Sequence, residues 1–124
     1  MTDHKIIIPF TLPGLNEYIN ANRDSKYTGA QMKKTATEAI AWYVFAEHQN
    51  LKITKRSRYL MHWYCPDKKK DPDNISAAVK FIMDGLVMAG TIINDTWRYV
   101  EGYEHDYSID KVYPRVEIQI RAKE

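Results

Sequence analysis

A chain of 124 residues is long enough for one domain around a single core and too short for two, so a large ligand has to be met on the surface or by an oligomer. Its one cysteine, Cys65, excludes an internal disulfide framework and a thiol-based zinc site, and reads as a small apolar side chain at a strand end in a reducing compartment. A formal net charge of +2 is too small to argue for nucleic acid from the total, so the distribution of charge must carry any such argument.

The first residues, Met-Thr-Asp-His-Lys, have none of the sections of a signal peptide, and no apolar run approaches the ~18 to 20 residues of a membrane span; a soluble cytoplasmic protein is expected. His4 to Phe10 carries three isoleucines and reads as a first strand, ended by the turn-rich Leu12-Pro13-Gly14-Leu15-Asn16. Tyr18 to Lys26 is polar and is expected to be a surface loop. Thr28 to Gln31 has capping-box spacing, and Met32, Ala36, Ala39, Tyr43 and Ala46 then recur at helical intervals to about His48. Arg58 to Cys65, rich in aromatic residues and running into Pro66, is a second strand.

A second helix is expected to begin at Asp71 or Asp73, with Pro72 in its first turn, and to end at Ala89 before Gly90. Ile75, Val79, Ile82 and Leu86 form its apolar stripe, while Ala78, Phe81, Val87 and Met88 widen it enough to suggest a subunit interface. Trp97 to His105 and Tyr113 to Arg121 read as the last strands, joined by a polar turn near Ser108 to Lys111, with Val112, Val116, Ile118 and Ile120 alternating. The order β-α-β-α-β-β predicts a single α+β domain: a mixed sheet with two helices on one face, dimerising through the second helix.

The most informative stretch is Pro-Asp-Lys-Lys-Lys-Asp-Pro-Asp-Asn at residues 66 to 74. Two carboxylates that close together are costly to keep ionised unless a cation neutralises them, and Mg²⁺ prefers hard oxygen ligands. The lysines before them would attract a phosphate backbone. A helix cap needs only one of Asp71 and Asp73, so capping and metal binding both stay open on spacing alone. Asn94-Asp95 offers a third carboxylate or an ordinary polar turn. Asp73, Ala77, Lys80 and Asp84 would share one face of a continuous helix, putting Lys80 about 10 Å along the axis from Asp73. Lys80 could equally be the intrahelical partner of Asp84. Across residues 51 to 70, Lys52, Lys55, Arg56, Arg58, Lys68, Lys69 and Lys70 face a single acid, Asp67.

Lys-Lys-Lys-Asp-Pro-Asp-Asn, the alanine-containing helix with Lys80-Phe-Ile-Met-Asp84-Gly-Leu, Ala89-Gly90 and Asn94-Asp95 together resemble the RusA-type Holliday junction resolvases. Leu12-Pro-Gly-Leu-Asn16 is similar to the segment after that family's first strand, though the dense likeness is confined to residues 66 to 100. The resemblance implies a homodimeric, Mg²⁺-dependent crossover junction endodeoxyribonuclease of bacterial or phage recombination and repair, and leaves open whether Mn²⁺ can substitute. It implies Asp71, Asp73 and Asp95 as the acidic metal set and Lys80 as the catalytic lysine. The lysine sits a turn later than in the family's better-known pattern, whose place here is taken by Ala77.

On that reading the aspartates hold metal that acidifies an attacking water, and Lys80 neutralises charge on the phosphoryl group. Lys68, Lys69 and Lys70, with Arg56, Arg58 and Asn16, would contact DNA, and Tyr18, Tyr27, Trp97 and Tyr99 are candidate stacking surfaces, although core packing accounts for most such rings. The rivals are a non-catalytic branched-DNA-binding protein and a less selective metal-dependent nuclease or phosphohydrolase. A mononucleotide pocket is disfavoured by the lack of a glycine-rich phosphate cradle.

Overall fold

A computed structural model describes residues 2–124. The elements run β1 (Thr2–Ile8), α1 (Leu15–Asp24), α2 (Lys26–Glu47), β2 (Ser57–Cys65), α3 (Pro72–Ser76), α4 (Val79–Met88), β3 (Val100–Ile109) and β4 (Arg115–Ala122). The strands form one mixed sheet in the order β1-β4-β2-β3. β4 is antiparallel to both β1 and β2, while β2 and β3 run parallel and need the helical crossover α3-α4 between them.

Only one sheet face is covered, because burial alternates strictly along the two central strands. Tyr59, Met61 and Trp63 of β2 and Val116, Ile118, Ile120 and Ala122 of β4 are buried, and the residues between them are not. Ile6 and Ile8 of β1 extend that layer, and Ile40 and Val44 of α2 and Ile82, Met83 and Leu86 of α4 close over it. This is the expected α+β domain, with four helices rather than two.

Three local differences follow from capping and packing. The expected loop at Tyr18 to Lys26 is mostly helix α1: Gly14 is its N-cap, Glu17 returns a carboxylate to the Gly14 amide at 3.3 Å, and Tyr18 packs edge-on to Phe81. α2 begins three residues earlier than expected, because Ser25 accepts from the Thr28 amide at 2.9 Å. Its buried face runs through Ala36, Ile40 and Val44 with Thr37 and Ala41, leaving Ala39 and Ala46 exposed.

The helix expected to run unbroken from Asp71 to Ala89 is two helices. At the join, Ala78, Lys80 and Phe81 donate their amides three residues back, to Ile75, Ala77 and Ala78, in the tighter 3₁₀ manner. That winding brings residues three apart onto one line, so Ala78 and Phe81 are both buried. The far end stops where expected. Gly90 takes φ +77°, its amide reaches the Val87 carbonyl and the Thr91 amide reaches that of Leu86, the two bonds of a Schellman turn.

The wide apolar surface of α4 is consumed inside the chain. Phe81, Ile82, Met83, Gly85 and Leu86 are buried, and of the expected apolar positions only Met88, at 58%, is exposed, so the breadth that suggested a subunit interface is explained without one. β3 starts later than expected, at Val100, leaving Trp97 outside it and 89% exposed. β4 starts at Arg115, after a turn in which Asp110 accepts from the amides of Val112 and Tyr113. No helix among the described residues is long and apolar enough to cross a membrane.

Candidate metal and nucleic-acid site

Asp71 is the N-cap of α3 by position, with extended backbone and its carbonyl accepting the Ile75 amide at 3.0 Å, yet its carboxylate makes no capping bond. Asp73 accepts only its neighbour's amide, Asn74 N to Oδ1 at 2.9 Å. Both side chains are exposed. The simple capping role is therefore unfilled by either aspartate, and both keep oxygens free for another ligand.

Asn74 anchors this turn to the loop after β1. Its Oδ1 accepts the Asn16 amide at 2.9 Å, and it lies so close to Gly14 that a Cβ there would come within 2.6 Å of it. A side chain at position 14 would push Asn74 off its bond, which is the reason for glycine here. A second tie joins the same segments: Lys70 is ion-paired with Glu17 of α1. Opposed to burial, which pushes the other way, that pair and the Gly14 amide leave the Glu17 carboxyl below its ordinary range. Asn16, expected as a DNA contact, meets Asn74 through its backbone, and its side chain stays exposed.

Lys80 and Asp95 form a separate cluster. Lys80 Nζ is 3.1 Å from Asp84 and 3.7 Å from Asp95, and Asp84 is also 3.7 Å from Lys33 of α2. The hydrogen bond that Lys80 donates to Asp84 is the main reason its ammonium titrates above its ordinary range, with Asp95 adding to it. Asp95 is freed for this by Asn94, whose Oδ1 takes the turn's bonds from the Thr96 amide and hydroxyl. Its charge also reaches the sheet: burial pushes Tyr59 up to about 12, with Tyr103 and then Asp95 adding to the shift. The intrahelical Lys80 to Asp84 pair is as expected. The shared face of Asp73 and Lys80 is not, because the helix that would have carried both is interrupted between them.

The described residues contain no group of three or more His, Cys, Asp or Glu side chains placed to hold a metal ion. The expected set Asp71, Asp73 and Asp95 is therefore not gathered into one cluster in the single chain; Asp95 is instead engaged by Lys80. Two free carboxylates nevertheless suit Mg²⁺, which keeps several of its waters and takes one or two protein carboxylates beside substrate phosphates. Asp71 and Asp73 meet that demand by their exposure and their unused oxygens.

The expected basic patch divides. Lys68 and Lys69 make no ion pair with any described residue and flank the turn, but Lys70 is held by Glu17. Arg56 and Arg58 stand at the other end of β2, and seven residues of strand from Arg58 to Cys65 span roughly 23 Å. There Arg58 meets Glu104 at 3.2 Å, and Arg56 reaches the Trp97 carbonyl at 3.3 Å and Glu101 at 4.0 Å. Both are tied to β3 or its approach, away from the acidic turn. Among the candidate stacking rings, Tyr27 and Trp97 are largely exposed, Tyr18 packs on Phe81, and Tyr99 lies under Arg98 at 5.5 Å.

Residues not singled out from sequence complete the picture: Asn74 and Glu17, which fasten the turn, and Lys33, which supports Asp84 from another helix. Asn74 directly after an Asp-Pro-Asp run was the available signal; the others depend on tertiary contact. A scan against protein-family models found no match, and a search of curated proteins found none either.

Proposed function

We propose that this protein is a Mg²⁺-dependent endodeoxyribonuclease of the RusA type that cuts four-way DNA junctions, acting as a homodimer in the cytoplasm of a bacterial or phage-infected cell. The observation that carries the reading is Asp71, which occupies a helix N-cap and yet leaves its carboxylate unused, beside an equally exposed Asp73. Two carboxylates two residues apart, one making no hydrogen bond and the other a single one, repel each other unless a cation neutralises them.

Asp71 and Asp73 would hold the metal, which when bound supplies Lewis-acid charge and a water acidic enough to attack near neutral pH. Lys68 and Lys69 position the strand through its phosphates and carry no sequence information. Asn74 and the Lys70 to Glu17 pair keep the turn fixed against α1, so that the carboxylates do not have to be ordered when DNA arrives. Lys80 stays protonated, and Asp84 orients it so that its charge can pass from Asp95 to a phosphoryl oxygen. Two copies would present two such turns to a junction of pseudo-twofold symmetry.

A second reading, a branched-DNA-binding protein without catalysis, is favoured by one observation: the third carboxylate is occupied by Lys80 rather than gathered with the other two. Both are tested by cleavage of a labelled four-way junction beside its linear duplex, with Mg²⁺ or EDTA, using wild type and Asp73→Asn. The expected outcome is paired Mg²⁺-dependent nicks in the junction alone, reduced at least ~100-fold in Asp73→Asn with little change in stability. Tight binding without product supports the second reading. Equal cutting of both substrates supports a less selective nuclease, and loss of folding in Asp73→Asn returns that residue to a structural role.

A further inference from the structure

Between the end of β2, the loop after β1 and α3 lies a cavity of about 200 Å³. Phe10, Leu12, Trp63, Cys65 and Ile75 give it an apolar lining, and Asp67, Lys69 and Lys70 of the basic loop complete it. Of the cations around it, Lys70 is paired with Glu17, and Arg115 lies on the Tyr64 ring at 3.7 Å while bonded to Asp110 and Glu117. Lys69 has no ion pair with any described residue, and Asp67, which also lines the cavity, takes the Lys69 backbone amide at 2.9 Å, so the basic loop offers one unpaired ammonium beside one carboxylate. The volume suits a planar heterocycle rather than a whole nucleotide, and Lys70 and Arg115 on its wall are already held by carboxylates.

The cavity is also next to the acidic turn. Ile75, one of its walls, donates its amide to the carbonyl of Asp71 at 3.0 Å. We infer that this cavity receives a single unpaired base of a DNA strand, swung out of the stack, while Lys69 holds that nucleotide's phosphate at the rim. The inference rests on the proposed reading of the acidic turn as a DNA-cleaving site, and identifies what the protein does with a base beside the attacked phosphodiester. Swinging a base out costs least where its stack is already broken on one side, as at the exchange point of a four-way junction held open. Apolar walls and an aromatic ring accept any base by its face, so the cavity would favour unpaired over paired DNA more than one sequence over another.

Cys65 reports directly on occupancy, because it lines the cavity and is the only thiol in the chain. Burial pushes its thiol above the ordinary range, so labelling by N-ethylmaleimide is best followed at mildly alkaline pH. The wild-type protein would be labelled alone, with saturating four-way junction, and with a saturating junction carrying abasic residues at the branch point. Ca²⁺ would replace Mg²⁺ to prevent cutting, and binding would be read by fluorescence anisotropy in the same samples. The natural junction should slow labelling about tenfold, and the abasic junction should restore it while binding some 5- to 100-fold more weakly, the loss expected for one stacked base. A bound natural junction that leaves labelling unchanged overturns the inference and leaves the nuclease reading standing, as does equal protection by the abasic junction. No binding to either junction overturns both.

Discussion

Replacing Gly85 by alanine tests the packing on which the Lys80 cluster depends. At Gly85 α4 lies close against α2, and a Cβ added there would lie 2.6 Å from Ile40 Cγ2, 2.7 Å from Ile40 Cβ and 3.2 Å from the Thr37 carbonyl oxygen. Carbon atoms pack at about 3.5–4.0 Å, so the helices would have to part by roughly 1 Å. Ile40 is fully buried, and the atoms struck are its branch point and a backbone oxygen, so no side-chain rotation can relieve the contact. Overpacking of this kind costs about 3 kcal/mol, and the better helix propensity of alanine offsets about 1, leaving a net loss of roughly 2 kcal/mol. For 124 residues the unfolding entropy is about 0.26 kcal/mol/K, so Tm should fall by about 8 °C, measured by calorimetry or urea titration. Ile40→Ala should rescue only in part, since the Ile40 Cβ contact persists. If Gly85→Ala is as stable as wild type, helix propensity has outweighed packing and the close approach of α2 and α4 argued here is wrong.

Other substitutions probe the remaining links. Tyr59 is buried and neutral up to about 12, whereas an unfolded tyrosine ionises near 10; its contribution is complete below pH 10 and falls away as pH rises towards 12, by roughly 3 kcal/mol, and Tyr59→Phe should flatten that decline in urea titrations across the interval. Asn74→Ala should cost about 1 kcal/mol but reduce junction cleavage several-fold by loosening the turn, and Gly14→Ala made on top of it should cost less than in wild type, because the atom it strikes is gone; additive effects in that double-mutant cycle would show that Asn74 is not what Gly14 accommodates. Lys68→Ala with Lys69→Ala should lower the salt dependence of junction binding by about two counterions, whereas Arg58→Ala should leave it unchanged; a reversed result would place the DNA at the other end of β2.

Much of this architecture is legible in local chemistry. Alternation identifies β4 and the covered face of β2, since a half-buried strand has period two whatever its partners. Gly90 marks the end of α4 because a Schellman turn needs positive φ, and Lys80 and Asp84 pair because four residues are one helical turn. The acidic turn stands out through repulsion that any conformation would feel. α1 escapes such reading because its ten residues are mostly polar and follow a Pro-Gly turn, although Leu15, Tyr18 and Ile19 do recur at helical spacing. The break at Ala77 and Ala78 also leaves no mark in composition, as alanine favours an unbroken helix and the tighter winding serves the burial of Ala78 and Phe81.

The sequence by itself determined the class of the fold, the place of the acidic turn and such element ends as those of β2 and α4, because these depend on neighbours a few residues apart. Only the tertiary structure decided the rest: that β4 lies between β1 and β2, that Lys70 is spent on Glu17, that Arg56 and Arg58 are a strand's length from Lys68, and that Asp95 meets Lys80 rather than Asp73. Charges near one another in sequence were separated by a rigid strand, and charges far apart were joined by helix crossing. Distance along a chain predicts distance in space only within one element, and each of these partners lies in another.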